Sequence, residues 1–243
     1  MEIALTSTRE GLPADHRPHD GHAGLAAVLF DMDGTLVHSE ETWLEAEIAV
    51  TAELGGVWTP EDQARNVGGP IDKVARVMLE KAGRTDVPAT EVARRLNAEV
   101  EQRLRTGPVH WMPGAKALLD EVNGRGVPCA LVSASYRRLV DAVLSAVGAE
   151  HFAFSIAGDE VPNLKPAPDA YLEAAQRIGV PIERCAVLED SPTGVRAGEA
   201  SGAVVVAIPS VVAIEPAPTR TVVTTLEDVD VAYLDRLVRE RQG

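Results

Sequence analysis

Four short apolar runs, at 26–30, 128–132, 185–188 and 203–208, set the tightest limit on what this chain can fold into. Each is too short for a buried helix, and each is apolar at successive positions. A strand reads that way only when both of its faces are covered, as in a parallel sheet. Helical patterns separate the runs. Ala117, Leu118 and Val122 form one stripe, and Leu139, Val143, Leu144 and Val147 another. The segments 171–178 and 195–200 continue the series, and a last strand at 221–225 with a helix at 231–239 closes it. Strand–helix alternation predicts a doubly wound, Rossmann-like α/β core built on a parallel sheet.

The segment 40–105 breaks this rhythm. It shows helical periodicity at Ala46, Val50 and Leu54, then Val74, Val77 and Met78, then Val92, Leu96, Val100 and Leu104. It is too long for a crossover and carries no strand signal, so it predicts an inserted all-helical cap of roughly four helices. Thr106-Gly107-Pro108 and Pro113-Gly114 punctuate the return to the core. The expected division is a core of 25–38 and 109–243 with a cap of 39–108. Residues 1–24 are polar and aperiodic, and read as a disordered leader in which His16, His19 and His22 are scattered.

Charge and cysteine usage remove several function classes. Lys and Arg number 23 against 37 Asp and Glu, for a net charge of −14. A chain this acidic repels nucleic acid and anionic membranes, which leaves small molecules as partners. No apolar stretch of about 18 residues suggests a membrane span. No secretory pattern is visible, so a cytoplasmic monomer or weak dimer is expected. Cys129 and Cys185 each sit inside an apolar run, as reduced packing residues do.

The chemistry is written at the ends of the strands. Leu29-Phe30-Asp31-Met32-Asp33-Gly34-Thr35-Leu36 fuses two carboxylates to the end of the first strand. Ligands bind open α/β sheets at that edge. Two neighbouring carboxylates cannot both be buried unpaired, and a cation between them resolves the conflict. Val132-Ser133-Ala134-Ser135 brings a hydroxyl and backbone N–H groups to the second strand end, where they can hold a phosphoryl oxygen. Lys165 is stiffened by the prolines of Lys165-Pro166-Ala167-Pro168 and suits an anion clamp. Glu189-Asp190-Ser191 adds two carboxylates at another strand end, and a set of hard oxygen ligands fits magnesium.

Taken together, Asp-x-Asp-Gly-Thr-Leu, Ser, Lys-Pro and Glu-Asp-Ser resemble the haloacid dehalogenase superfamily of phosphotransferases. The likeness is strongest to its helical-cap branch, which includes phosphoglycolate phosphatase-like and β-phosphoglucomutase-like enzymes. The resemblance implies that Asp31 attacks phosphorus and that Asp33 acts as acid and then base. Ser133 and Lys165 would bind the transferring group. Asp31, the backbone carbonyl of Asp33, and Asp190 would hold Mg2+, with Glu189 an outer or alternate ligand. The substrate would be a small phosphorylated metabolite.

Two departures separate the chain from the mutases it resembles. Trp43 stands where the mutase has a gating histidine, and Leu96, beside Arg95, stands where it has a cap lysine. Both favour water as acceptor, although a sugar phosphomutase and a non-catalytic phosphate-binding module remain as alternatives. The cap should choose the substrate. Arg65 in Arg65-Asn66-Val67-Gly68-Gly69-Pro70 is a candidate anion grip, Trp43 and Trp58 are candidate walls, and Tyr136 and Arg137 follow the Ser133 loop.

Overall fold

Six short strands form a fully parallel sheet in the computed structural model, which describes residues 24–243. The leader up to residue 23, with its three histidines, lies outside the described residues. The strands are β1 (Ala27–Phe30), β2 (Cys129–Val132), β3 (Phe154–Ile156), β4 (Cys185–Glu189), β5 (Val204–Ala207) and β6 (Arg220–Val222), in the spatial order β3-β2-β1-β4-β5-β6. The chain steps outward from β1 through β2 to β3 and then returns to β4 on the other side of β1. The β1–β4 seam is therefore the switch point at which open sheets bind ligands. Phe30 pairs with Leu131 on one side and Leu188 on the other, so Asp31 and Glu189 emerge level with each other.

Alternation along the strands divides the interior into two layers. Val28, Phe30, Leu131 and Leu188 point to one face, and Leu29, Ala130, Val132 and Val187 to the other. The first layer is covered by α5 (Ala115–Gly124), α6 (Arg137–Val147) and α9 (Val231–Gln242). The second is covered by α7 (Asp169–Ile178) and α8 (Pro192–Ser201). Both cysteines are buried, free thiols, and burial pushes each up to about 12.

The insert between β1 and β2 is helical throughout: α1 (Glu40–Glu53), α2 (Pro60–Asn66), α3 (Ile71–Lys81) and α4 (Ala89–Thr106). The predicted stripes are its core, because Val50, Met78, Leu96 and Val100 are buried together. Thr59 caps α2 reciprocally with Asp62, which satisfies orphan N–H groups at a helix start. The α4 helix also packs on α6, so the apolar interior runs from cap to core without a break.

The sequence pattern misses one strand and overextends another. β3 is three residues long and has polar Ser155 at its centre, so it shows no apolar run. The run at 221–225 forms a strand only over Arg220–Val222, half-buried at the sheet edge. Trp58 is a core residue at 4 % exposure, packed with the buried interior of the insert. Among the described residues, no helix is long and apolar enough to cross a membrane.

Leu96 is fully buried where α4 meets the rest of the insert. Leu96→Ala is expected to cost about 2–5 kcal/mol, read as a lower urea midpoint at constant slope. A loss under about 0.5 kcal/mol would mean that the cap interior is not packed as described.

Candidate active site

The Asp31 N–H donates to the Leu188 carbonyl at 3.0 Å, which carries the β1–β4 pairing one residue past β1. The chain then turns back on itself: Leu36 and Val37 both donate to the Met32 carbonyl, and Gly34 donates to Val37. Gly34 has φ +75°, and a Cβ there would overlap the Asp190 and Glu40 carboxylates. Only glycine meets both demands. The turn separates the two acids. Asp31 stays buried at the sheet edge, while the Asp33 carboxylate faces the cap. There it accepts from Ser39 Oγ at 2.6 Å, Trp43 Nε1 at 3.2 Å and Ser135 Oγ at 2.8 Å.

Lys165 is 5 % exposed, and its Nζ donates to Asp31 Oδ1 and Glu189 Oε1, both at 2.6 Å, and to the Val132 carbonyl at 3.0 Å. Burial alone would lower this ammonium, but the flanking carboxylates outweigh it and hold the group well above its ordinary range. Glu189 is saturated. Tyr171 donates to Oε1 at 2.8 Å, and the Ser191 N–H and hydroxyl donate to Oε2 at 3.3 and 3.1 Å. A Cβ on Gly194 would overlap the same carboxylate. Ser191 meanwhile caps α8 by accepting from the Gly194 N–H at 3.0 Å.

Burial raises the Asp31 and Asp190 carboxyls well above the usual range. Repulsion from Glu189 adds to both, and Lys165 opposes the shift at Asp31. Three buried carboxylates share this edge with one ammonium, so negative charge is in excess. Asp31, Glu189 and Asp190 each offer an oxygen within 4.8 Å of the others. An all-oxygen donor set of this kind, with surplus charge, fits magnesium and offers nothing to a soft metal. Ser210 Oγ donates to Asp190 Oδ2 and approaches Glu40 at 3.4 Å, extending the acidic wall.

Around this edge lies a cleft roofed by the cap. Asp31, Asp33, Trp43, Ala134, Lys165, Glu189 and Asp190 all line it. Ser133, next to Ala134, is buried, its Oγ accepting from the Ser135 N–H at 2.9 Å. Gly158 abuts the Ala134 carbonyl and donates to that of Ser135 at 2.8 Å, which pins the loop.

One of the proposed contacts is corrected. Arg65 does not enter the cleft: it is exposed on the last turn of α2, although its successors Asn66, Val67, Gly68, Gly69 and Pro70 do line it. Arg137 turns away to Glu160 and Ser155, leaving Tyr136 at the cleft. Ser39, Glu40, Ser135, Tyr171 and Ser210 were not foreseen. Ser135 stands two places after Ser133, so its position held a signal. The others carry none, because their contacts arise only in the fold.

Glu47, on α1, also lines the cleft and is 5 % exposed, with Trp58 Nε1 donating to its Oε2 at 2.8 Å. Burial pushes its carboxyl up from 4.5 to about 7. The folded protein thus holds this proton through a pH window in which the unfolded chain releases it. Stability falls as pH rises from 4.5 to about 7, and the cost is complete above that. Glu47→Gln keeps an acceptor for Trp58 and removes the titration. Relative to wild type, it is expected to stabilise by about 1–3 kcal/mol more at about pH 8 than at about pH 5. Equal effects at both pH values in thermal unfolding would contradict the raised carboxyl.

The profile of the haloacid dehalogenase-like hydrolases matches residues 25–202. Protein CbbY of Rhodobacter capsulatus is 32% identical over 195 residues, covering 76% of this chain and 86% of that protein. The fructose-1-phosphate phosphatase YqaB of Escherichia coli K12 is 32% identical over 181 residues, covering 73% and 93%. The crystal structure of CbbY from Rhodobacter sphaeroides, in complex with xylulose-(1,5)bisphosphate, superposes with a TM-score of 0.79 at 27% identity. It covers 87% of this chain and 99% of that one. With the acidic sheet edge, the buried lysine and the inserted helical cap in place, the chain belongs to the haloacid dehalogenase-like hydrolases.

Proposed function

We propose that this protein is a magnesium-dependent phosphatase that releases phosphate from a small phosphorylated metabolite through a phosphoryl group carried on Asp31. The observation that carries the reading is the Lys165 bridge. It ties one Asp31 oxygen at 2.6 Å and leaves the other as the candidate nucleophile beside the cleft. The phosphorylated sugars named for two relatives, fructose 1-phosphate and xylulose bisphosphate, support a substrate of that general kind. The division into a core of 25–38 and 109–243 and a cap of 39–108 belongs to the same reading.

Each residue has a part that its position permits. Asp31 attacks phosphorus. Lys165 neutralises phosphoryl charge, and the Ala134 N–H on the cleft wall holds phosphoryl oxygens together with the adjoining Ser133 hydroxyl, which among the described residues accepts from the Ser135 N–H. Asp33, fixed from three sides by Ser39, Trp43 and Ser135, protonates the leaving oxygen and then takes a proton from water. Asp31, Asp190 and the Asp33 carbonyl would hold magnesium, while Glu189, saturated by four donors, orients Lys165. When bound, the metal offsets the negative charge of the phosphoryl group as the carboxylate approaches. Water is the acceptor, because Trp43 occupies the gating position and Leu96 is packed in the core.

Asp31→Asn is nearly isosteric but a poor nucleophile. It is expected to lower kcat by about 1,000-fold or more while the protein stays folded by circular dichroism. Phosphate release near the wild-type rate from folded Asp31→Asn would sink the mechanism. Chelation by EDTA is expected to stop turnover, magnesium to restore it and calcium to restore it poorly, since calcium takes more ligands at longer distances. Undiminished activity in the metal-stripped protein would contradict the metal assignment.

A further inference from the structure

Resting on the phosphatase reading, we propose that Asn97 and Glu47 in the cap select a neutral, hydroxyl-bearing leaving group. The preferred substrates are then phosphate monoesters of sugars or polyols, not bisphosphates or phosphorylated carboxylates.

The case begins with a buried polar group that has no partner. Asn97, on α4, is 2 % exposed and lines the cleft, yet its Nδ2 makes no hydrogen bond. A buried donor left unpaired costs about 1–3 kcal/mol, a cost that a ligand acceptor would remove. Glu47, on the adjoining helix α1, gives one carboxyl oxygen to Trp58 and leaves the other to a ligand. With its carboxyl raised to about 7, it is divided between a proton donor and an acceptor near neutral pH. A hydroxyl group both donates and accepts, so it can satisfy an amide N–H and a carboxyl at once. Val67, Ile71 and Val74 line the same cleft and can cover the carbon skeleton.

The charge on the wall rules against a second anion. Glu40 and Glu47 line the cleft in addition to the acids of the sheet edge, and the one cationic lining residue among those described is Lys165. Its Nζ is committed to Asp31 and Glu189 at the sheet edge. Arg65 is exposed outside the cleft, and Arg95 pairs with Glu91 at 2.9 Å on the far surface of α4. Leu96, at the position compared above with a mutase cap lysine, is fully buried. A second phosphate or a carboxylate entering the cap would lose its hydration, find no counter-charge and meet Glu47.

The test measures kcat/KM with magnesium for fructose 1-phosphate, fructose 1,6-bisphosphate, phosphoglycolate and 4-nitrophenyl phosphate. Fructose 1-phosphate is expected to exceed the bisphosphate and phosphoglycolate by about tenfold or more. Asn97→Lys, which puts a cation at the unpaired amide, is expected to narrow the monophosphate-to-bisphosphate ratio by about tenfold. Asn97→Leu is expected to raise KM for fructose 1-phosphate by about tenfold with a much smaller change in kcat. Wild-type preference for the bisphosphate or phosphoglycolate overturns the inference alone and leaves the phosphatase reading intact. So does an Asn97→Leu variant that lowers kcat on every substrate with KM unmoved, because that marks a structural role. No phosphate from any of the four substrates removes the phosphatase reading and this inference with it.

Discussion

The Lys165 ammonium, 2.6 Å from both Asp31 and Glu189, is the contact on which the site depends. The sheet register brings three carboxylates to one buried edge, where they repel one another and lose hydration. Lys165 offsets part of that charge from a loop that is distant in sequence, 134 residues from Asp31. Removing one partner of such a pair typically costs about 3–5 kcal/mol, because the other charge is left buried alone. The surrounding residues make sense as supports for this bridge. Tyr171 and Ser191 fix Glu189, Glu189 fixes Lys165, and Gly194 leaves room for the Glu189 carboxylate. The charge that remains uncompensated is what suits the edge to the divalent cation and phosphoryl group proposed for it.

On the proposed mechanism, core and cap carry different parts of the chemistry for a physical reason. The strand ends are locked by interior packing on both faces of the sheet, so the groups attached to them are held to a narrow geometry. A phosphoryl group is the same in every ester, and a rigid edge suits it. The leaving group varies, and on the proposed mechanism it would meet α1, α2, α3 and α4, whose side chains can change without disturbing the sheet. The link between the two halves is Asp33, which is anchored by the core through Ser135 and by the cap through Ser39 and Trp43.

Much of this was legible in the sequence because it is written in local patterns. The strand runs ending at Asp31, Val132 and Leu188 placed the motifs at one edge, and periodicity at 40–105 marked the insert. What escaped is non-local or too short. β3 has three residues with a serine at its centre, so no run marks it. Tyr171 reads as an apolar helix residue, and only the fold brings its hydroxyl to Glu189. Ser135 reaches Asp33 across 102 residues, and Ser210 reaches Asp190 across 20. Arg65 shows the opposite error: the loop after it enters the cleft, but the helical phase of α2 leaves the arginine itself exposed.

The most direct test of the central claim is to catch the phosphoryl group on the protein. Rapid acid quench during turnover of a good substrate, followed by digestion and fragment-ion mass spectrometry, would locate it. The account predicts a phosphorylated peptide spanning 25–37, with the modification on Asp31 and with kinetics fast enough to precede phosphate release. A phosphoryl group on Asp33 or Asp190, or turnover with no phosphorylated protein at any quench time, would contradict it.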